Sequence, residues 1–488
     1  MALHVSHTFM RKGGVSASLS ARALATAVAV ALALGLCTPL DAHAEVRKSD
    51  LVMGTSVEER GLTVAQCPSI DALYAYVVDD RGTVYFERDA TAPTQIASLT
   101  KIMTAVVALD AVAANTVSLD DELTVSERAA EVGESSAGLQ EGDKLTLETA
   151  LYALMVPSGN DAAIAIAEYV GGRMVEADGG QGDAQQAFVD AMNAKCTELG
   201  CVDSVYRNPH GLDNGEFAGD QHSCAADQAR IVQYAMQNEL FRTIVGGGST
   251  TIEVQRADTP EDGGDTEYVD TEIALESTDL LLDMYDNACG EKTGFTELAG
   301  NSFAGAANDG SRYVYAIVIH SSSENQRFTD AQTLFEWVYG NIVDYSLANS
   351  SLTESFDTPD GEVQAPVVAQ VAHADWVDVT IPAVLSDPDA TAEVFSLNGN
   401  VSQSFEFNEV HGNVHEGDVI GKATFKQHNQ VVAEYDLVAA ADVEAPNFFE
   451  NIGVWWDKLF RGFNGQPQVA DSVVLNTTPL INDKASAL

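Results

Sequence analysis

The chain has 488 residues, more than one hydrophobic core ordinarily organises, so two or more folded units are expected. Hydrophobic residues make up 45% of it, ordinary for globular protein, but 25 basic against 73 acidic residues leave a formal net charge of -48. That charge excludes nucleic acid as a partner, whose phosphates would be repelled, and suits a secreted protein kept dispersed by self-repulsion; an anionic substrate must be held by a few local cations.

The N-terminus reads as a processing signal at 1–44. Arg11, Lys12 and Arg22 form a basic region, Ala23 to Leu36 an apolar one, and "DAHA" places Ala42 and Ala44 at signal-peptidase spacing. The apolar run is shorter than the ~20 residues that span a bilayer. Export permits disulfides, but Cys67, Cys196, Cys201, Cys224 and Cys289 leave at least one thiol unpaired. Cys196 and Cys201 can pair across "CTELGC", the spacing is not that of a zinc site, and Cys289 has nothing near it in sequence to make it a nucleophile.

Residues 45–66 read as a linker, and 67–350 as one domain. "LYAYVVDDRGTVYFERDA" predicts a hairpin. "SLTKIMTAVVALDAV" predicts a buried helix, "LTLETALYALMV" a second one broken by Pro157 and Gly159, and "DAAIAIAEYVGG" a third ended by Gly171 and Gly172. "AADQARIVQYAM" is another amphipathic helix, and "NSFAGAANDGSRYVYAIVIHS" predicts two strands around a turn. Helices gathered against an antiparallel sheet give an α+β class. Two acidic stretches, Asp178 to Asp183 and Thr259 to Asp270, read as loop insertions. Alternating runs over 354–443 predict a small all-β domain. In "NFFENIGVWWDKLFRGF", within 446–464, eight large apolar residues recur at helical spacing, which predicts an amphipathic helix lying in a membrane interface rather than packed on its own domain. Its four charges cancel, so anionic lipid adds little attraction. Residues 465–488 are polar and expected to be disordered.

Three short elements carry chemistry. In Ser98-Leu99-Thr100-Lys101, positions three apart share a helix face, so the Ser98 hydroxyl meets the Lys101 amine. A serine is a weak nucleophile until a base takes its proton, and a lysine is a base only when burial or another cation lowers its pKa. Ser158-Gly159-Asn160 lies in a break between helices, where Ser158 could relay a proton and Asn160 hold Lys101 and the substrate amide. Lys292-Thr293-Gly294, at a strand edge, supplies a second cation that keeps Lys101 neutral and attracts a carboxylate. Gly294 lets substrate approach the strand, and Thr293 and Thr296 offer hydroxyls. Each element alone is commonplace; their combination and order are not.

The set "ASLTKIMTA", "SGNDAA" and "GEKTGFT", with "NPHGLDN", "HSCAAD" and "NFFENI", resembles the serine-type D-alanyl-D-alanine carboxypeptidases, the low-molecular-mass penicillin-binding proteins, across nearly the whole mature chain. The resemblance implies a β-lactamase/transpeptidase-like domain followed by the β-domain and the helix. It implies acylation of Ser98 by a peptidoglycan stem peptide, release of the terminal D-alanine, and hydrolysis of the acyl-enzyme. Lys101 would be the general base, Ser158 and Asn160 would line the cleft, and Lys292 and Thr293 would orient substrate. The backbone N–H groups of Ser98 and of Phe295 or Thr296 would form the oxyanion hole, and Arg327 would help bind the terminal carboxylate. His210 reads as structural or as part of the cleft rim, not as a base. Phe295 stands where several relatives have a polar residue. β-Lactam antibiotics would be covalent inhibitors, no metal or organic cofactor is implied, and the place of action would be the extracytoplasmic face of the cell membrane. A class A-like β-lactamase is disfavoured by glycine at 159; a DD-endopeptidase on the same site stays open, and a non-catalytic wall-binding protein is disfavoured by the intact serine and lysines.

Overall fold

The computed structural model describes residues 50–56, 66–258, 266–359 and 361–481. The expected signal peptide lies outside them. Its first strands are β1 (Asp50–Val52), β2 (Thr55–Ser56), β3 (Tyr74–Asp79) and β4 (Val84–Arg88). The helices α1 (Thr100–Ala113), α2 (Leu147–Met155), α3 (Asn160–Ala177), α4 (Ala184–Leu199) and α5 (Ala225–Ala235) follow. Then come β5 (Ala288–Gly294), β6 (Asn301–Asn308), β7 (Tyr313–Ser321) and α6 (Glu324–Asn341).

The strands form one seven-stranded sheet in the order β2-β1-β4-β3-β7-β6-β5. α1 to α5 bury their apolar residues in one core with one sheet face, and α6 packs Phe328, Leu334 and Phe335 on the other. The domain is therefore α+β, with α1 buried on nearly every face, as its unbroken apolar run requires. β5 is the outermost strand, so one of its edges carries no ladder partner among the described residues.

Several expectations change. The stretch read as a linker supplies β1, because Asp50 forms a buried ion pair with Arg88 at 2.7 Å while Arg88 also donates to the carbonyls of Ile70 and Ala72. α3 does not stop at Gly171 and Gly172. A Cβ on Gly171 would lie 1.9 Å from the Ala184 carbonyl oxygen, so that glycine admits the start of α4 instead of ending α3. The second acidic insertion is the end of a long hairpin, Thr250–Asp258 with Glu267–Leu275, whose tip lies outside the described residues. The first is the exposed α3–α4 connection, and Asp183 caps α4. All five described cysteines are free thiols, so Cys196 and Cys201 form no bridge.

The β-domain begins earlier than expected, at β8 (Ile342–Ser346), which pairs with Thr391–Phe395. Its six-stranded sheet includes β9 (Ala369–Ala372) and β10 (Thr380–Leu385). The helix α7 (Phe448–Phe463) starts with a capping box between Asn447 and Glu450. The segment after it is not a disordered tail over its described part: β11 (Val473–Val474) adds to the edge of β9, and buried Asn476 bonds Leu347, Gln403 and Asn349. An open strand edge and an asparagine whose groups are all matched offset the polar composition.

Asp50→Ala would leave Arg88 buried without its counter-charge. We expect a loss of roughly 3–5 kcal/mol, read as a lower denaturant midpoint at unchanged slope.

Candidate active site

Residues 96–99 form a tight turn that leads into α1. Ala97 takes a left-handed backbone, φ 47°, which sets Ser98 half-buried at the mouth of a cleft of about 300 Å³. Lys101, one turn further, is completely buried. Its Nζ lies 2.6 Å from Asn160 Oδ1, 2.9 Å from Ser98 Oγ and 3.1 Å from the His210 carbonyl oxygen. Asn160 Nδ2 donates to the Gly133 carbonyl, which turns its oxygen towards the lysine. Two of the three neighbours are thus acceptors only. A neutral amine has two hydrogens for them and one lone pair left, and that lone pair faces the Ser98 hydroxyl. Burial pushes the Lys101 pKa down to about 7, against the opposing pull of Asp161. The sequence reading assigned that shift partly to Lys292. Burial dominates instead, and the cationic repulsion falls on Lys292, held well below its ordinary value by burial, Lys101 and Arg327.

The loop "NPHGLDN" closes the third side of the Lys101 pocket. Asn208 accepts from the His210 and Gly211 amides and donates to the Leu212 carbonyl, and Thr104 donates to the Pro209 carbonyl. This presents the His210 carbonyl to Lys101. A Cβ on Gly211 would lie 1.9 Å from the Ala97 carbonyl oxygen, so loop and nucleophile turn touch along their backbones. The His210 ring is buried, accepts from the Leu212 amide, and has a pKa pushed down to about 3 by burial and Lys101. It stays neutral and works through its main chain.

Ser158 lies in the cleft wall, 3% exposed, with φ 64° and no hydrogen-bond partner for its hydroxyl among the described residues. A strained backbone at such a position is retained where the rest of the site over-determines it. Gly159 has no room for a side chain: a Cβ would sit 2.5 Å from Asp161 Oδ1 and 2.7 Å from the Ala153 carbonyl. Asp161 needs that space, because it accepts from the Ala137 and Leu139 amides and from Ser136, holding the 133–139 loop against the cleft.

On the other wall, Lys292 is buried and donates to the Thr293 carbonyl. Thr293 shares a 2.8 Å hydroxyl contact with Thr278, a cleft residue that no motif pointed to. Thr296 is turned inward, its hydroxyl donating to Asp213 and accepting from the Ala299 amide, so it braces the wall and has no free donor for a carboxylate. Gly294 is required by the protein itself: a Cβ would meet the Ile96 carbonyl at 2.8 Å. Arg327, 4% exposed, reaches the Gly294 carbonyl at 3.4 Å and Glu324 at 3.2 Å, and lines the cleft, as do Ser98 and Phe295. Phe295 is exposed at the rim. Buried Asp279, with its pKa raised to about 6 by burial, is the anion that Lys292 and Arg327 both feel.

A serine beside a buried amine, facing a strand edge flanked by Arg327, is the arrangement of the serine acyl-transfer class. The pattern that defines the D-alanyl-D-alanine carboxypeptidases matches residues 62–323, and the chain belongs to that family. It is 24% identical over 377 residues to the D-alanyl-D-alanine carboxypeptidase DacF of Bacillus subtilis, covering 76% of this chain and 85% of that one. It is 26% identical over 416 residues to DacC of Escherichia coli, covering 82% and 90%. The crystal structure of the D-alanyl-D-alanine carboxypeptidase DacD from Francisella tularensis superposes with a TM-score of 0.52 at 22% identity, over 77% of this chain and 94% of that one, which shows a shared fold.

Protonated Lys101 has no lone pair to offer, so acylation of Ser98 should fall as pH drops through the lysine pKa. A stopped-flow profile of penicillin acylation should be half-maximal near pH 7 and decline about tenfold per unit below it.

Proposed function

We propose that the chain is a serine DD-carboxypeptidase that removes the terminal D-alanine from peptidoglycan stem peptides. The observation that carries this reading is the contact between Lys101 Nζ and Ser98 Oγ at 2.9 Å, with the amine's other two directions taken by acceptors. Ser98 Oγ attacks the carbonyl of the penultimate residue while Lys101 takes its proton. The oxyanion is held by backbone N–H groups at Ser98 and just after Gly294. The departing D-alanine nitrogen needs a proton, and the unpartnered Ser158 hydroxyl supplies it, to be recharged from Lys101. Arg327 and Thr293, with Lys292 buried behind them against the Thr293 carbonyl, make the end of the cleft that suits a terminal carboxylate. Water then cleaves the ester and restores Ser98. A β-lactam, whose ring amide is attacked in the same way, leaves its acyl group on Ser98.

Labelling with a fluorescent penicillin should mark the wild-type chain and not Ser98→Ala. Incubation of the wild type with a D-Ala-D-Ala peptide should release free D-alanine. Labelling of the mutant equal to wild type would remove Ser98 from the mechanism.

The same proposal places the enzyme outside the cell, peripheral to the membrane through α7. Phe448, Phe449, Ile452, Trp455, Trp456, Phe460 and Phe463 are all exposed on it, while Lys458 and Arg461 tie its polar side to Ala374 and Asp378 of the β-domain. Aromatic residues favour the lipid–water boundary. Among the described residues no helix is long and apolar enough to cross a membrane. Deleting the helix would also pull on β11, so substitution is the cleaner test. Trp455→Ser with Trp456→Ser and Phe460→Ser should move the protein from the membrane to the soluble fraction without loss of penicillin labelling.

A further inference from the structure

The two walls of the cleft are joined by a residue that no motif contains. Thr278 follows the long hairpin and lines the cleft together with Ser98, Ser158 and Thr293. Its amide donates to the Val156 carbonyl at 3.2 Å, at the end of α2 and just before Pro157 and Ser158. Its hydroxyl meets the Thr293 hydroxyl on β5 at 2.8 Å. Main chain therefore ties Thr278 to one wall and side chain ties it to the other. The turn that follows fixes its place: the Asp279 amide donates to Ser277 Oγ, and Asp279 Oδ1 accepts from the Leu281 amide at 2.8 Å.

Two hydroxyls that share one contact carry two hydrogens and use only one of them in it. Among the described residues neither hydroxyl has another hydrogen-bond partner, so one O–H is left for the cleft. With Thr278 donating, the spare hydrogen is that of Thr293, whose oxygen is polarised by the bond it accepts. A carboxylate can only accept. Lys292 Nζ donates to the Thr293 carbonyl at 2.9 Å, which holds the main chain and leaves the hydroxyl to Thr278. A separate feature marks this end of the cleft for an anion. Arg327 lines it, is 4% exposed, and has no partner for its Nε among the described residues.

We propose that Thr278 is a positioning residue for the terminal carboxylate of the substrate: its hydroxyl donates to Thr293 and aims the Thr293 hydrogen at that carboxylate, beside Arg327. This deepens the carboxypeptidase reading above and rests on it. Thr278→Val keeps the amide held by Val156 and removes the hydroxyl. In D-alanine release from Nα,Nε-diacetyl-L-lysyl-D-alanyl-D-alanine by the full chain, it should raise KM about three- to tenfold. The kcat should stay within about twofold of wild type, because the carboxylate is held alike in the ground and transition states. Thr278→Ser should stay close to wild type. The control is the para-nitrophenyl ester of the same diacetyl-lysyl-D-alanyl group, which delivers the same acyl group to Ser98 without a carboxylate. Its kcat/KM should be equal in wild type and Thr278→Val, whereas a residue that only braces the walls would slow both substrates. Saturating fluorescent penicillin reports an intact cleft in each variant, and Thr278→Ala serves if Thr278→Val fails to label. An unchanged KM in a labelled Thr278→Val, a parallel loss on the ester, or a Thr278→Ser as impaired as Thr278→Val overturns the proposal and leaves the carboxypeptidase reading in place. No D-alanine from the wild type overturns both.

Discussion

The site depends on one buried ammonium-or-amine group. An amine at the surface of this chain, amid so many carboxylates, would stay protonated and could accept nothing. Lys101 escapes that by being enclosed between α1, the start of α3 and the loop around His210. Burial penalises the charged form, and the Asp161 carboxylate pulls the other way. That opposition leaves the Lys101 pKa at about 7 rather than far below it. That balance is what the proposed exchange of a proton with Ser98 requires.

Holding that geometry demands backbone contacts closer than any side chain allows. Gly211 lies against the Ala97 carbonyl and Gly294 against the Ile96 carbonyl, so the nucleophile turn is gripped from both sides by glycines. Gly294 was expected to make room for substrate; it makes room first for the turn that carries Ser98. The two functions are linked, since the strand edge that substrate would approach is the edge that positions the nucleophile. Gly159 does the same service for Asp161, whose carboxylate organises the 133–139 loop. An aspartate at 159 would collide with that arrangement, a physical reason for the glycine that sets this site apart from a class A-like β-lactamase.

Local chemistry was legible in the sequence where residue type and spacing suffice. Ser98 in the turn that enters α1 with Lys101 one turn on, Asn160 at a helix start and Lys292 on an edge strand lie close to where their spacing puts them. So do the β3–β4 hairpin and the amphipathic pattern of α7. What was not legible involves main chain and distance. The His210 carbonyl has no side-chain signature, and Thr278 is an ordinary threonine until Thr293 comes beside it. Arg88 and Asp50 are 38 residues apart, so nothing local marks the supposed linker as a strand. Thr296 looked like a free hydroxyl because Asp213, its partner, lies in another motif.

The β-domain is joined to the catalytic domain by more than a connection. Glu393, within Thr391–Phe395, forms ion pairs with Arg81 beyond the end of β3 and with Arg312 before β7, and Arg312 also contacts Asp79 and Tyr85. Arg312 is buried, so this carboxylate sits where an unmatched cation would be costly. β8 continues directly from α6, whose first turn carries Arg327. The sheet that presents β5 and the helix that presents Arg327 are therefore both tied to the domain that carries α7. Any surface that binds the aromatic face of α7 thereby restrains the orientation of the cleft, because ion pair, helix and sheet leave little independent rotation between them. A peptide substrate fixed in a cell wall is a target with a direction. If α7 is the anchor proposed above, a cleft coupled to it in this way would meet that target from one side.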